Sequence, residues 1–555
     1  MKTLIIGGVA GGASAAARLR RLKEDETIII AERGEYVSFA NCGLPYYIGG
    51  VITDRERLTL QTPQSFKERF NVEVRVCTEA VQILPEAKMA VLKDLATGDI
   101  YNESYDNLIL SPGARPVKPN IEGVEADGVF TLRNIPDTLK IKEFINQRKP
   151  RDGVVVGGGY IGLEMAENLK HAGMNVTVVE LSEHLIPSFD YDMAAGIHRY
   201  IKAQGINLCL NNGLKAIKEG RVILQNGELK ADMVILSAGV RPDTQFLRGA
   251  VPLNERGGII TDSHMRTDIP NIYAVGDAAE IRNFVSGRPA LIPLAGPANR
   301  QGRIAADNIA GIPSEYKGSQ GSAVLKLFDM TAAATGLNER EAAQSGLDYD
   351  KTYIYSAPHA SYYPGGRNMS IKALWDKKTY KLLGAQLVGF DGVDKRADVL
   401  AAAIRLGAKI TDLAGLELCY APPFGSAKDP VNMLGFIAEN VITQRVKQFF
   451  WHDVEKLPRD GSVILLDVRT PLEASRGMIK GFKNIPLDSL RERINELPKG
   501  KRVYVHCHSG LRSYIACRIL AGHGYDCYNL AGGWQLYESA VNERTAPEYI
   551  CTQCR

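Results

Sequence analysis

Short apolar runs set between glycine clusters give this chain its rhythm. Leu4-Ile5-Ile6 is brief and rich in β-branched side chains, so it predicts a buried strand. Residues 7–12 form a Gly-rich turn, 13–22 a helix, and 27–31 a second strand that ends on Glu32. The same order returns later. Val154-Val155-Val156 is followed by a Gly-rich turn at 157–162, a helix at 163–172 and a strand at 176–179 that ends on Glu180. Each segment predicts strand, turn, helix and parallel strand, the opening of a Rossmann-like unit. Beyond residue 321, strands at 371–375 and 382–388 alternate with helices as an α+β module reaching about residue 443. The texture changes at 444–457, after which Val463-Ile464-Leu465-Leu466-Asp467-Val468-Arg469 opens a smaller α/β unit. The fold class expected is α/β.

The glycine turns carry the first chemistry. Glycine lets the backbone turn tightly against a pyrophosphate whose charge rests on the start of the next helix. An acid at the end of the second strand accepts hydrogen bonds from ribose hydroxyls. Glu32 follows Gly12 by 20 positions and Glu180 follows Gly162 by 18, so both turns have their acid. The second turn is regular, with Gly157, Gly159 and Gly162 and Tyr160 between them. The first has Gly7 and Gly12 but Val9 at the middle position, so it needs further support.

That support comes from Thr267-Asp268-Ile269-Pro270-Asn271-Ile272-Tyr273-Ala274-Val275-Gly276-Asp277, read as a strand ending in Gly-Asp before a helix. It resembles the second FAD motif of two-dinucleotide flavoproteins, in which the Asp holds the ribityl chain. Ser111-Pro112-Gly113-Ala114 and Ser237-Ala238-Gly239-Val240-Arg241-Pro242 resemble the turns by which that architecture leaves and re-enters its FAD domain. The resemblance implies FAD on the first glycine turn and a nicotinamide on the second. The boundaries expected are 1–112 with 240–320 for FAD, 113–239 for NAD(P), 321–443 for dimerisation and 450–545 for the last domain.

Composition adds limits. Lys+Arg 67 against Asp+Glu 63 leaves a charge of +4, too balanced for nucleic acid or an anionic membrane as main partner. No apolar run approaches the ~18–20 residues of a membrane helix. At the N-terminus Arg18, Arg20 and Arg21 follow the apolar stretch rather than precede it, which argues against a signal peptide and for a cytoplasmic location. Nine Cys in 555 residues is no disulfide framework, and a reduced thiol protein is the expectation.

Sorting those thiols isolates two. Cys77, Cys209, Cys517 and Cys527 sit in apolar surroundings as small core residues, and Cys419 precedes a Tyr-Ala-Pro-Pro turn. Cys42 lies in Ser38-Phe39-Ala40-Asn41-Cys42-Gly43-Leu44-Pro45-Tyr46, a turn starting a helix, where a helix end lowers a thiol pKa. No second Cys stands within five positions of it. Its oxidised form is then a mixed disulfide with a small thiol, a sulfenate, or a disulfide to a distant Cys. Cys507 opens the loop Cys507-His508-Ser509-Gly510-Leu511-Arg512 between the strand 503–505 and a helix from 513. Backbone N–H groups of such a loop bind an anion and favour a thiolate or persulfide, and Arg512 adds charge. His508 is a candidate proton donor. Cys551-Thr552-Gln553-Cys554 is a single CxxC, which closes no four-ligand zinc site, and no metal is expected.

The Ser38-to-Tyr46 block resembles the signature of single-cysteine flavin disulfide reductases, specifically the coenzyme A-disulfide reductases of the FAD-dependent pyridine nucleotide-disulfide oxidoreductase family. The resemblance runs to about residue 443. It implies that Cys42 forms a mixed disulfide with CoA over the flavin, reduced by NAD(P)H through FAD. It implies Tyr362 and Tyr420 of a neighbouring subunit near that cysteine, hence a homodimer. It also implies CoA contacts at Arg18, Arg21, Ser38, Asn41 and Lys428; Arg18 and Arg21 lie one helical turn apart, a suitable phosphate clamp. The last unit resembles a rhodanese, with Asp467-Val468-Arg469 near its start, the six-residue Cys507-to-Arg512 loop of sulfurtransferases, and Gly532-Gly533-Trp534 near its end.

Together these features imply reduction of CoA persulfide, polysulfide or CoA disulfide, with Cys507 delivering sulfane sulfur from polysulfide or another donor. Glu180, with Leu181-Ser182-Glu183 after it, favours NADH over NADPH. One alternative is an NADH oxidase or peroxidase cycling Cys42 through a sulfenate, although such enzymes usually carry His where Ala10 stands. Another is a thiol-redox sensor or sulfur carrier.

Overall fold

Residues 1–545 are described in a computed structural model. The chain forms two compact units, and Cys551 and Cys554 lie outside the described residues.

The first unit comprises Met1–Ser182 and Gly205–Gly321. Its leading sheet is all parallel, in the order Ile272–Ala274, Asn107–Leu110, Lys2–Ile6, Thr27–Ala31, Glu73–Arg75. Ile5 pairs with Ile30 on one side and Ile109 on the other, and all three are buried. Burial on both faces explains the unbroken apolar runs, since parallel strands with covered faces have no solvent side. A second parallel sheet repeats the plan, in the order Ile206–Cys209, Asn175–Val179, Asp152–Val156, Met233–Leu236, Val129–Phe130. The two segments expected as crossover turns meet: Ala114–Pro116 pairs antiparallel with Val240–Pro242.

Two local expectations are corrected here. The helices begin earlier than their apolar periodicity implies, at Ala10 and Tyr160, because the last glycines of each turn already lie in the first helical turn. No helix follows Gly276-Asp277 directly. A single 3-10 turn, Gly276–Ala278, runs into the strand Ala279–Arg282, and the helix Ala295–Ile309 comes later. Ala279 and Ile281 are buried while Glu280 and Arg282 face outward, a period of two that only a strand satisfies.

The second unit comprises Glu183–Gln204 and residues 322–545. An antiparallel sheet runs Ala323–Leu327, Met330–Gly336, Leu382–Gly389, Met369–Asp376, Tyr349–Ser356. Lys372 on this sheet is fully buried, and Asp190 and Asp192 accept from its Nζ at 2.8 and 2.9 Å. The hydrogen-bonded acids repay its desolvation. A smaller parallel sheet runs Lys447–Phe449, Cys527–Leu530, Val503–His506, Ile464–Asp467, Lys483–Asn484. Cys507, Cys517 and Cys527 all belong to its apolar core. Among the described residues no helix is long and apolar enough to cross a membrane.

Candidate functional site

The first glycine turn is built so that nothing larger fits. Gly7 has φ +96°, and a Cβ there would lie 2.1 Å from the Ser111 carbonyl oxygen; one on Gly12 would lie 1.9 Å from the Gly7 carbonyl oxygen. Val9, the residue before the helix Ala10–Leu22, makes no side-chain cap, so the first helical N–H groups remain available to an anion. Glu32 accepts from the Gly8 and Gly34 N–H groups, both at 2.8 Å, and burial raises its pKa. Asp277 lies 3.2 Å from Arg133 across the ion pair that holds its turn. This donor set and cradle fit a dinucleotide.

The second turn repeats the design. Gly157 has φ +107°, with Ser237 O 2.3 Å from where a Cβ would stand, and Gly162 packs on Gly157 in the same way as Gly12 on Gly7. Space around Gly159 is open, and half-buried Tyr160 begins the helix there. Glu180 accepts from the Gly158 N–H at 2.7 Å, the counterpart of the Glu32–Gly8 bond. Each acid therefore braces its own glycine turn, a bond that spacing alone does not reveal.

Cys42 sits in the 3-10 turn Asn41–Gly43, which runs into the helix Leu44–Ile48. Ser38, at φ +47°, ties this segment to the first glycine turn through its N–H on Gly8 O at 2.8 Å. The expectation of a lowered thiol pKa is overturned. Cys42 is exposed, but partial desolvation by its surroundings first, then the Glu164 and Asp277 carboxylates, raise it, and Arg133 offsets them only in part. The field of a single short helix end is local and weak beside these groups. Tyr46, one turn after Cys42, directs its hydroxyl at Glu164 Oε1 from 3.5 Å. Burial pushes Glu164 up to about 7 and Tyr46 up to about 12.

Arg18, Arg21 and Ser38 line one cleft of about 340 Å³. The cleft also holds Ser14, Asn299 and Arg303, which sequence reasoning missed because the last two arrive from a helix almost 300 positions away. The Arg18 Nε donates to Asp307 at 2.6 Å, which orients its side chain, and Arg21 and Arg303 stand in the same cleft. Asn41 opens the Cys42 turn. Lys428 is exposed and belongs to the second unit, beside the helix cap Asp429.

In the second unit the hydroxyls of Tyr362 and Tyr420 meet at 2.8 Å, both side chains exposed. Cys419, also exposed, joins Tyr420, Phe424 and Arg396 around a cleft of about 470 Å³. Arg396 is almost fully buried, forked on Asp429 and donating to the Pro358 carbonyl at 2.7 Å, so it pins the segments that precede Tyr362 and follow Tyr420.

Cys507 is fully buried at the end of the strand Val503–His506. The Gly510 N–H donates to its sulfur at 3.1 Å and the Ser513 hydroxyl reaches it at 3.3 Å. The following helix begins at Leu511, so Arg512 is in its first turn. Arg512 does not present a free charge: its two guanidinium nitrogens are bonded to the Glu473 carboxylate at 2.7 and 2.6 Å. His508 is exposed, and its carbonyl accepts from Gln535. Sequence reading missed Ser513, Glu473 and His506. His506 is fully buried between the Phe482 and Trp534 rings, and burial holds its pKa down to about 4.

Residues 1–302 match the family model described as pyridine nucleotide-disulphide oxidoreductase, 322–430 its dimerisation domain and 451–540 the rhodanese-like domain. The chain is 37% identical over 441 residues to a coenzyme A disulfide reductase of Staphylococcus epidermidis, covering 79% of this chain and 100% of that one. A reduced Bacillus anthracis structure described as CoADR-RHD shares 48% identity over 98% of both chains, with a TM-score of 0.96. An NAD-dependent persulfide reductase from A. fulgidus shares 36% identity over 97% of this chain and 100% of that one, with a TM-score of 0.90.

Proposed function

The chain belongs to the pyridine nucleotide-disulphide oxidoreductase family, and we propose from that premise that it reduces CoA persulfide, polysulfide or CoA disulfide with NADH. The observation that carries this reading is one chain holding two separate sulfur centres, Cys42 with no second Cys within five positions of it in the sequence and Cys507 cradled in a rhodanese-like loop.

Cys42, as thiolate, attacks the CoA-bearing sulfur of CoA-S-SH. The S–S bond breaks, HS⁻ leaves, and Cys42–S–S–CoA forms. Arg21, Arg303 and Ser38 hold the phosphates and stem of CoA, with Arg18 oriented by Asp307. Gly7, Val9, Gly12, Glu32 and Asp277 hold FAD; Gly157, Gly159, Tyr160, Gly162 and Glu180 hold the nicotinamide dinucleotide. Bound FAD supplies the two-electron reduction of the mixed disulfide at the expense of NADH. Glu180 opposes a 2′-phosphate by charge, which favours NADH over NADPH. Tyr362 and Tyr420, a hydroxyl pair exposed on the dimerisation module, serve the Cys42 centre of a partner subunit in a homodimer, and Lys428 adds a charge to the CoA site.

Cys507 accepts a sulfane sulfur and passes it to CoA. An oxidase cycle at Cys42 leaves the second centre without a role. Cys42→Ser should abolish NADH-dependent sulfide release from both CoA persulfide and polysulfide. Cys507→Ser should spare pre-formed CoA persulfide and impair polysulfide. Equal loss on every substrate in the Cys507 variant would refute this division.

A further inference from the structure

Beside the Cys507 loop the nearest loop cation is paired with an acid, and apolar side chains stand exposed. Arg512 and Glu473 form a two-point fork, and the neighbouring Arg469 is forked on Asp467 in the same manner. Glu473 is held in place as well by Thr470, whose N–H and hydroxyl both donate to its Oε2 at 2.9 Å. The Arg512 bonds, with those from Thr470, keep Glu473 ionised, down at about 2. The residues beside this pair are apolar and open: Leu472 is 64% exposed and Leu511 59%. Ile515, one turn after Leu511, and Met478, following the glycine that packs on Trp534, extend the apolar rim. The Trp534 N–H in turn donates to the Cys507 carbonyl, so the rim and the sulfur belong to one site.

We propose that Glu473 sets the donor specificity of Cys507, admitting thiol persulfides with an uncharged stem and rejecting dianionic donors such as thiosulfate. This rests on the reading of Cys507 as a sulfane-sulfur acceptor. A dianion needs a cation whose charge and fork are free, and Glu473 offsets the charge of Arg512 and occupies the paired face of its two terminal nitrogens. An uncharged stem needs only apolar contact, which Leu472, Leu511 and Met478 supply. In the transfer the Cys507 thiolate attacks the outer sulfur of R–S–SH. The S–S bond breaks, R–S⁻ leaves, and the proton stays on the new Cys507 persulfide.

The test measures sulfur loading on Cys507 by intact mass, in a full-length Cys42→Ser chain without NADH, so that failure of the reductase reading leaves it intact. Pantetheine persulfide and thiosulfate are the two donors. The parent chain should load from the persulfide and only slowly from thiosulfate. Glu473→Gln keeps the helix-capping acceptor for Thr470 but removes the charge. It should raise thiosulfate loading about tenfold, the scale of one charge at a half-screened site, and change persulfide loading little. Leu472→Arg adds a cation at an exposed position and should also raise thiosulfate loading, which keeps the test open if Glu473→Gln folds poorly. Equal loading from both donors in the parent chain would overturn the proposal. So would an unchanged donor ratio in either folded variant, or loading from neither donor.

Discussion

The Tyr46 hydroxyl points at the Glu164 carboxylate from 3.5 Å, joining the helix that follows Cys42 to the helix of the second glycine turn. Burial raises Glu164 to about 7, and Glu167 adds to the shift. The Glu164 charge therefore appears near neutrality, and once present it raises the Cys42 thiol pKa together with Asp277, against Arg133. Glu164→Gln holds the neutral form at every pH. Alkylation of Cys42 by iodoacetamide should be faster in this variant than in the parent at about pH 8, and equal at about pH 5, where both side chains are neutral. Equal rates at both pH values would remove Glu164 from the control of Cys42.

What the sequence disclosed and what it hid follow from range. Gly7, Gly12, Gly157 and Gly162 were legible because close backbone approach within a few residues admits no other side chain. The parallel strands were legible because burial on both faces leaves unbroken apolar runs. The Cys42 pKa was misjudged because the desolvation that raises it, and after it the Glu164 and Asp277 charges, come from segments distant in the chain. Glu473 and Arg303 were invisible for the same reason: nothing near Cys507 or Arg18 in the chain announces the residue that folding sets beside it. The Gly276-Asp277 turn was misread because the period of two lies in the four residues after it.

Arg396 is the strongest candidate for a stability anchor. With Arg396→Met, Asp429 is left buried without its partner, and such a loss costs about 3–5 kcal/mol. Chemical denaturation should show that decrease. Adding Asp429→Asn should recover a large part, because Asn still caps the helix Pro430–Ile442 while the unpaired charge is gone. No recovery in the double variant would mean that packing by the Arg396 stem, rather than charge pairing, carries the cost.

His506 makes the rhodanese-like module acid-sensitive. Its folded pKa of about 4 lies below its ordinary value of 6.5. The unfolded chain takes a proton first as pH falls, so stability is full above about pH 6.5 and drains away toward about pH 4. The two and a half units correspond to about 3 kcal/mol. The full-length chain should show a module unfolding transition that moves down on acidification from about pH 7.5 to about pH 5, and His506→Phe should flatten that dependence. A dependence unchanged by the substitution would assign the effect to other groups.

Glu180 accepts from the Gly158 N–H, and exposed Leu181 follows it past the C-terminal end of the strand Asn175–Val179. Replacing Glu180 by Ser removes the charge that opposes a 2′-phosphate, and Leu181→Arg supplies a partner for it. The double variant should shift kcat/KM toward NADPH by at least about tenfold relative to NADH, through one new charge-assisted hydrogen bond and the removal of one repulsion. If the ratio does not move, the ribose edge of the nicotinamide dinucleotide lies elsewhere.

The Tyr362–Tyr420 hydroxyl pair gives a direct test of shared sites. Either Tyr→Phe change breaks a 2.8 Å bond without loss of core packing, since both rings are exposed. If the pair serves the Cys42 of a partner subunit, Tyr420→Phe should lower CoA-persulfide turnover by about tenfold, the worth of one hydrogen bond to a charged sulfur. The decisive measurement mixes chains. A heterodimer of Cys42→Ser with Tyr420→Phe has one site carrying both defects and one carrying neither, because each site takes its cysteine from one chain and its tyrosines from the other. Purified heterodimer should then regain about half of parent activity, while each homodimer stays low. Were the tyrosines to serve the cysteine of their own chain, both heterodimer sites would carry one defect, and mixing would restore nothing beyond the average of the two homodimers.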